Sequence, residues 1–214
     1  MEKFKCASCG SCCRKYSIIV MPDEAKAIAR LLGMQLKGFI ADYCSLYLDL
    51  FPSSNENKAL MVNSSFLPKK IYKELSVLLA VVPENLLALP CITLRRKNNL
   101  CIFYDEKLSS CKVYRHRPLP CTLFPFLSLE EDLKGKKWAE LYPFCKALQK
   151  CSPARKNFFR DYYPFVESYF KEIEKKGINK VWKNLPKKGI ACYNGVELCE
   201  ISLEEFLQAI ETLE

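Results

Sequence analysis

The residues best equipped for chemistry are thiols. Cys6-Ala-Ser-Cys9-Gly-Ser-Cys12-Cys13 stands near the start of the chain, with two successive C-x-x-C steps. Such a step lets two thiolates in a tight turn reach one metal, while the intervening amides point at the sulfurs. Gly10 offers the positive φ that these turns favour. Cys13 is the unusual member. Adjacent side chains diverge, so Cys12 and Cys13 serve different centres or one of them stays unligated. A second set follows at Cys101, Cys111 and Cys121, and then come Cys145 and Cys151. Together these sulfurs suffice for one [4Fe–4S] cluster, for one or two Zn(Cys)₄ sites, or for a cluster with a neighbouring thiol pair. All-thiolate ligation favours zinc or iron–sulfur and argues against magnesium and calcium.

His116 is the only histidine, which excludes a Cys₂His₂ finger and a histidine triad. Flanked by Arg115 and Arg117, it reads as a local structural donor. Arg14, Tyr114 and Arg117 are the candidate cofactor-binding residues beside the cysteines. Arg117 can hydrogen-bond an anion or cluster sulfurs, and a salt bridge holding the Arg-Pro turn is its competing role. Tyr114 also reads as a packed aromatic. Of the thirteen cysteines, Cys44 and Cys91 stand isolated in apolar surroundings and read as buried small hydrophobes. Cys192 and Cys199 stay open between a core role, a disulfide and an accessory ligand pair.

Half of the residues are hydrophobic, so the chain can build a core without disulfides. No apolar stretch precedes Cys6 as in a secretory signal, and runs such as Leu75 to Val82 are too short for a bilayer. The expectation is a cytoplasmic chain without membrane association. There, clustered cysteines act as metal ligands or catalytic thiols before disulfides, hyperthermophile proteins excepted. The formal charge is +9. Thiolate-bound centres are net negative, and Lys3, Lys5, Arg14, Lys15, Lys112, Arg115 and Arg117 lie near the cysteines to offset them. The remaining charge leaves a protein or other anionic partner open, nucleic acid included. Against nucleic acid, Phe and Tyr cluster with Pro rather than alternating with Lys and Arg, and no standard binding motif is present.

These residues must be positioned by the elements between them. Residues 1–16 read as a metal-organised loop and Tyr16 to Met21 as a short strand. A helix starts at Pro22, with Asp23 and Glu24 at its positive end, and stops at Gly33. A second helix is expected over Gln35 to Leu50, carrying Cys44, and then a loop over Phe51 to Lys58. Pro68 to Val82 reads as helix, residues 91–97 and 100–104 as short strands around Lys97-Asn98-Asn99, and Cys111 to Phe126 as turns around a site. Pro153 to Lys176 suggests a helix kinked or divided at Pro164, and Ile178 to Leu185 another. Asn194-Gly195 between apolar runs predicts a hairpin with Cys192 opposite Glu197, and with Cys192 and Cys199 on one side. Ser202-Leu203-Glu204-Glu205 is a capping box that opens a last helix. The expected fold class is α+β, mainly helical, with short strands and irregular cysteine-rich loops around a metal site. Residues 1–156 form the expected metal-binding domain with a helical insert over about 22–90. Residues 157–214 form a helical extension with the hairpin, packed on the same domain.

Phe4-Lys-Cys6-Ala-Ser-Cys9-Gly-Ser-Cys12-Cys13-Arg14 resembles the opening signature of the YkgJ-type cysteine-cluster (CxxCxxCC) family of zinc- or iron-chelating proteins. Cys101-Ile-Phe-Tyr, Cys111-Lys-Val-Tyr114-x-x-Arg117-Pro118-x-x-Cys121 and Phe124-Pro125-Phe126 resemble its second signature, and Cys151-Ser-Pro-Ala-Arg155 a later element. The resemblance implies a metal-binding cysteine domain. Flagellin lysine methylases carry a similar signature and are associated with an iron–sulfur cluster, so it also implies protein-lysine methyl transfer as a third reading. No Gly-rich fingerprint for a nucleotide-containing methyl donor accompanies it. The first reading is a zinc or iron–sulfur protein with redox or cluster-dependent catalytic activity. The second is a structural zinc module that binds nucleic acid or protein.

Overall fold

The computed structural model describes residues 4–52, 60–128, 134–150 and 157–211. Its α-helices in chain order are α1 (Ser11–Lys15), α2 (Pro22–Leu31), α3 (Leu36–Tyr43), α4 (Lys69–Leu78), α5 (Leu119–Leu123), α6 (Trp138–Leu141), α7 (Lys146–Gln149), α8 (Phe159–Lys176), α9 (Ile178–Val181) and α10 (Leu203–Glu211). Its strands are β1 (Cys44–Pro52), β2 (Met61–Asn63), β3 (Asn85–Leu94), β4 (Arg96–Lys97), β5 (Leu100–Cys101), β6 (Tyr104–Asp105), β7 (Ser110–Cys111), β8 (Lys188–Tyr193) and β9 (Val196–Ser202). Among the described residues, no helix is long and apolar enough to cross a membrane. The chain divides into two compact units. One comprises Met1–Gly33 with Leu94–Glu167, and the other Met34–Thr93 with Ser168–Glu214.

The second unit is built on a five-stranded sheet of order β2-β3-β1-β8-β9. This corrects the expectation of a mainly helical chain with only short strands: β1 has nine residues and β3 ten. The correction centres on 35–50. Phe39 and Ile40 are buried on α3, which ends at Tyr43. Thereafter Cys44, Leu46, Leu48 and Leu50 are each fully buried, with less buried residues between most of them. That is the period of two of a strand, not the 3.6 of a helix. β3 likewise runs through Pro90, beyond the stretch at Asn85 to Leu87 that pairs with β2. The expected strand at Tyr16 to Met21 is reduced to a single bridge at Ile19.

β1 and β8 run parallel, with Leu46 opposite Gly189 and Asp49 opposite Cys192. β8 and β9 form the expected hairpin, turning at Asn194 and Gly195 with φ of 49° and 76°. Cys192 does pair with Glu197, but a bulge then puts Cys199 opposite Ala191. The extra residue breaks the simple alternation that would have set both thiols on one side. The capping box also forms: the Ser202 hydroxyl accepts from the Glu205 N–H at 3.1 Å, and the Glu205 carboxylate accepts from the Ser202 N–H at 2.7 Å.

Asp49 is the buried carboxyl of this sheet, 9% exposed. It accepts from the Gly195 N–H at 3.0 Å. Burial raises its pKa, because the desolvation cost of the charge exceeds what these donors return. The folded form therefore binds a proton more tightly than the unfolded chain. Folding stability falls as pH rises from the ordinary carboxylate range through the raised pKa, and the penalty stays in full above it. Asp49→Asn keeps an acceptor for Gly195 without the charge. Its urea midpoint is expected above wild type at pH 7, with the gap closing near pH 4. A lower midpoint at pH 7 would count against this balance.

The first unit has little regular structure, and aromatic packing supplies its core. Phe126, Cys145, Ala147 and Leu148 are buried, with Phe4, Phe124, Trp138, Tyr142 and Phe158 against them. Phe126 meets Phe4 and Trp138 edge-on, each at 5.1 Å between ring centroids. The Glu24 carboxylate ties two segments together. It accepts from the Met21 N–H at 2.9 Å and from the Leu119 N–H at 2.7 Å, linking the start of α2 to the start of α5. Two small hairpins, β4–β5 and β6–β7, carry the middle cysteines. Asn98 and Asn99 turn the first with φ of 52° and 59°, at the position that Lys97-Asn98-Asn99 marks in the sequence.

Candidate metal centre

The N-terminal motif is held by a backbone that only glycine accepts easily. Gly10 has φ +74° and precedes α1, where the Arg14 N–H donates to its carbonyl at 3.0 Å. A Cβ at Gly10 would lie 2.6 Å from the Tyr104 ring. The Tyr104 hydroxyl donates to the Ser8 carbonyl at 2.8 Å, across 96 residues of sequence. Tyr104 thus latches the N-terminal loop to β6, and its partner across the β6–β7 pair is Cys111. Cys101 ends β5, Cys121 lies in α5, and Cys145 precedes α7. Gly10→Ala sets a β-carbon against the Tyr104 ring in a strained backbone region, at a cost of roughly 1–3 kcal/mol. The expected result is a lower melting temperature together with reduced metal content. A variant that kept both would show that the latch is not needed.

Cys6, Cys9, Cys12, Cys13, Cys101, Cys111, Cys121 and Cys145 all line one cavity of about 430 Å³. Phe4, Phe103, Phe124, Phe144 and Phe158 contribute apolar wall to it, and Tyr104, Tyr114 and Arg117 also line it. Among the described residues, no three His, Cys, Asp or Glu side chains converge at the spacing one metal ion needs. Cys151 and the Cys-x-x-Ala-Arg element lie outside the described residues. Cys44, Cys91, Cys192 and Cys199 belong to the other unit and carry free thiols. Cys44 and Cys91 are buried there, as their apolar neighbours in sequence suggest.

The thiols are unequal. The Cys13 thiol donates to the Cys12 sulfur and holds the Cys12 pKa down at about 7, against the opposing effect of burial; the charge of Arg117 helps. The same hydrogen bond pushes Cys13 far up. Burial opposes the Cys9 thiolate, but the Ser11 hydroxyl, 3.3 Å away, and nearby amides outweigh it and lower the pKa. Burial raises Cys101, Cys111, Cys121 and Cys145. Neighbouring cysteines add to the rise, Cys12 among them in all four cases. A wall of crowded, desolvated thiols resists losing its protons one by one. A bound cation removes that resistance, since coordination deprotonates thiols outright.

The three non-cysteine candidates diverge. The Arg14 side chain pairs with Glu106, and the Arg14 carbonyl accepts from Arg96. Tyr114 and Arg117 do line the cavity, and the Arg117 guanidinium lies 4.4 Å over the Tyr114 ring. His116 is exposed, in a 3₁₀ turn. Sequence reasoning missed Tyr104 as a latch and the phenylalanines as walls. Tyr104 ends the Cys101-Ile-Phe-Tyr motif, and Phe4 and Phe124 also stand within quoted motifs, so the only signal was their nearness to the cysteines.

No curated protein and no solved structure matches this chain. The CxxCxxCC family model, described as a "putative zinc- or iron-chelating domain", matches residues 5–146. That span takes in every cysteine of the cavity wall and covers more than half of the sequence, and the protein therefore belongs to the CxxCxxCC family.

Proposed function

We propose that the protein holds an iron–sulfur centre, a [4Fe–4S] cluster rather than a zinc ion, in the cysteine cavity. The observation that carries this reading is the spread of eight thiols around one cavity of about 430 Å³. Zinc draws four ligands in to about 2.3 Å each. A polynuclear cluster takes its four thiolates around a larger body. The donor set suits either, and the family description covers zinc and iron alike.

The ligands we assign are Cys12, Cys101, Cys111 and Cys121. All four line the cavity, and the thiols whose charge raises Cys121 are Cys101, Cys12 and Cys111. Cys6, Cys9, Cys13 and Cys145 then stand beside the centre as further thiols. When bound, such a cluster supplies one-electron transfer. The chain sets Cys13, whose pKa the contact with Cys12 raises, beside that ligand and packs phenylalanines around the wall, which limits water at the sulfurs. Spare thiols in this setting suit redox or cluster-dependent catalysis.

Anaerobic purification with iron, sulfide and zinc analysis tests the reading. Iron and sulfide in matched amounts, with broad visible absorption, are expected. Stoichiometric zinc in a colourless anaerobic sample would overturn the cluster and select the structural zinc module.

A further inference from the structure

We propose that the part of the cavity wall around Arg117 binds a small organic oxyanion, a carboxylate or phosphate that carries an apolar body. The proposal rests on the metal-centre reading for what lies beside the ligand, while the binding groups belong to the chain itself. Arg117 lines the cavity. Its guanidinium carbon lies 4.4 Å over the Tyr114 ring, a cation–π contact that steadies the side chain, and among the described residues no hydrogen bond takes its N–H donors. Among the described residues no carboxylate pairs with Arg117, whereas Arg14 is already taken by Glu106. A planar guanidinium edge is the protein group best matched to carboxylate and phosphate oxygens.

The rest of the wall selects the body of the ligand. Phe124, Phe144 and Phe158 present aromatic surface to the same cavity. With a metal centre in the same cavity of about 430 Å³, only part of that volume is left, which suits a small ligand body. The charge of the protein is also concentrated here. The cysteine-bearing unit contains 21 Lys and Arg against 11 Asp and Glu, a formal +10, while the other unit contains 12 against 13, a formal −1. A thiolate-bound centre offsets only a small part of that excess. The surplus field draws anions toward the unit; Lys5 and Arg117 both line the cavity, and it is the Arg117 charge that acts on Cys12, Cys111 and Cys121.

The test is calorimetric titration of the anaerobically purified protein with benzoate, phenyl phosphate and neutral benzamide. Wild type, Arg117→Gln and Arg117→Lys are compared, and metal is measured in each sample. One of the two anions is expected to bind, with benzamide weaker by about tenfold or more, and the preferred anion identifies the ligand class. Arg117→Gln is expected to lose about tenfold or more in anion affinity per metal-loaded protein, beyond any change in its metal content, the scale of a charge-assisted hydrogen bond. Arg117→Lys, which keeps the charge but not the fork, falls between them. Failure of both anions to bind wild type, or equal binding of benzamide, overturns the proposal. So does an Arg117→Gln variant that sheds metal and anion together, because Arg117 would then serve the sulfurs. Arg117-dependent anion binding to protein that carries no metal would leave the oxyanion site standing and sink the metal-centre reading instead.

Discussion

Cys111→Ala is expected to lose most of its bound metal and to melt about 10–20 °C below wild type. Cys111 stands on β7 opposite Tyr104, where the N-terminal loop is latched. As a mere half-buried thiol its removal would cost about 1 kcal/mol, the centre of the range for point substitutions. As one of four ligands it is worth far more. Structural metal binding contributes on the order of 10 kcal/mol or more, and whole domains are stable by roughly 5–15 kcal/mol. Losing about half of the metal contribution, near 5 kcal/mol, corresponds to that fall in melting temperature for a chain of this size. Cys145→Ala is the matched comparison, because Cys145 lines the cavity outside the assigned four. It should retain its metal. Equal metal content in wild type and Cys111→Ala would remove Cys111 from the ligand set, and a shift of only a degree or two would reduce it to packing.

Gly189→Ala is expected to destabilise the protein by about 3 kcal/mol or more, for a reason unrelated to metal. Gly189 lies opposite Leu46 where β1 and β8 run parallel. A Cβ there would sit 2.1 Å from the Leu46 carbonyl oxygen and 2.3 Å from the Leu46 Cβ. Neither atom is the free end of a flexible side chain, and Leu46 is fully buried, so the strands themselves must part. Overpacking of side chains costs about 1–3 kcal/mol, and moving backbone in a sheet interior exceeds that. A drop in urea midpoint, or loss of soluble protein, is the expected measurement. An unchanged midpoint would mean that the β1–β8 spacing can relax at no cost.

These two glycine and cysteine positions differ in how visible they were beforehand. Cys111 stood out as a candidate from its spacing and from the motif around it, and it lines the cavity. Gly189 carried no signal, because its constraint comes from β1, well over a hundred residues earlier. The hairpin at Asn194-Gly195 and the Ser202 capping box were legible because each is decided within a few residues. The bulge at Ala191/Cys192 was not, since it changes register without changing composition. The helix expected over Gln35 to Leu50 failed at Cys44, where the alternating burial of Leu46, Leu48 and Leu50 between neighbouring strands prevails over helical propensity.

The sequence alone determined the donors on offer: many soft thiols, a single histidine, and the paired motifs of the CxxCxxCC family. Local spacing suffices for that, because a C-x-x-C turn is formed by neighbouring residues. Tertiary structure decided which thiols meet. It gathered eight cysteines around one cavity and put four others in the sheet unit, and it left Arg14 paired with Glu106 while placing Arg117 at the cavity wall. The physical reason is that these groupings depend on long-range contacts such as Tyr104 to Ser8 and Glu24 to Leu119. Such contacts are fixed by burial and close approach between distant segments, which no short stretch of sequence contains.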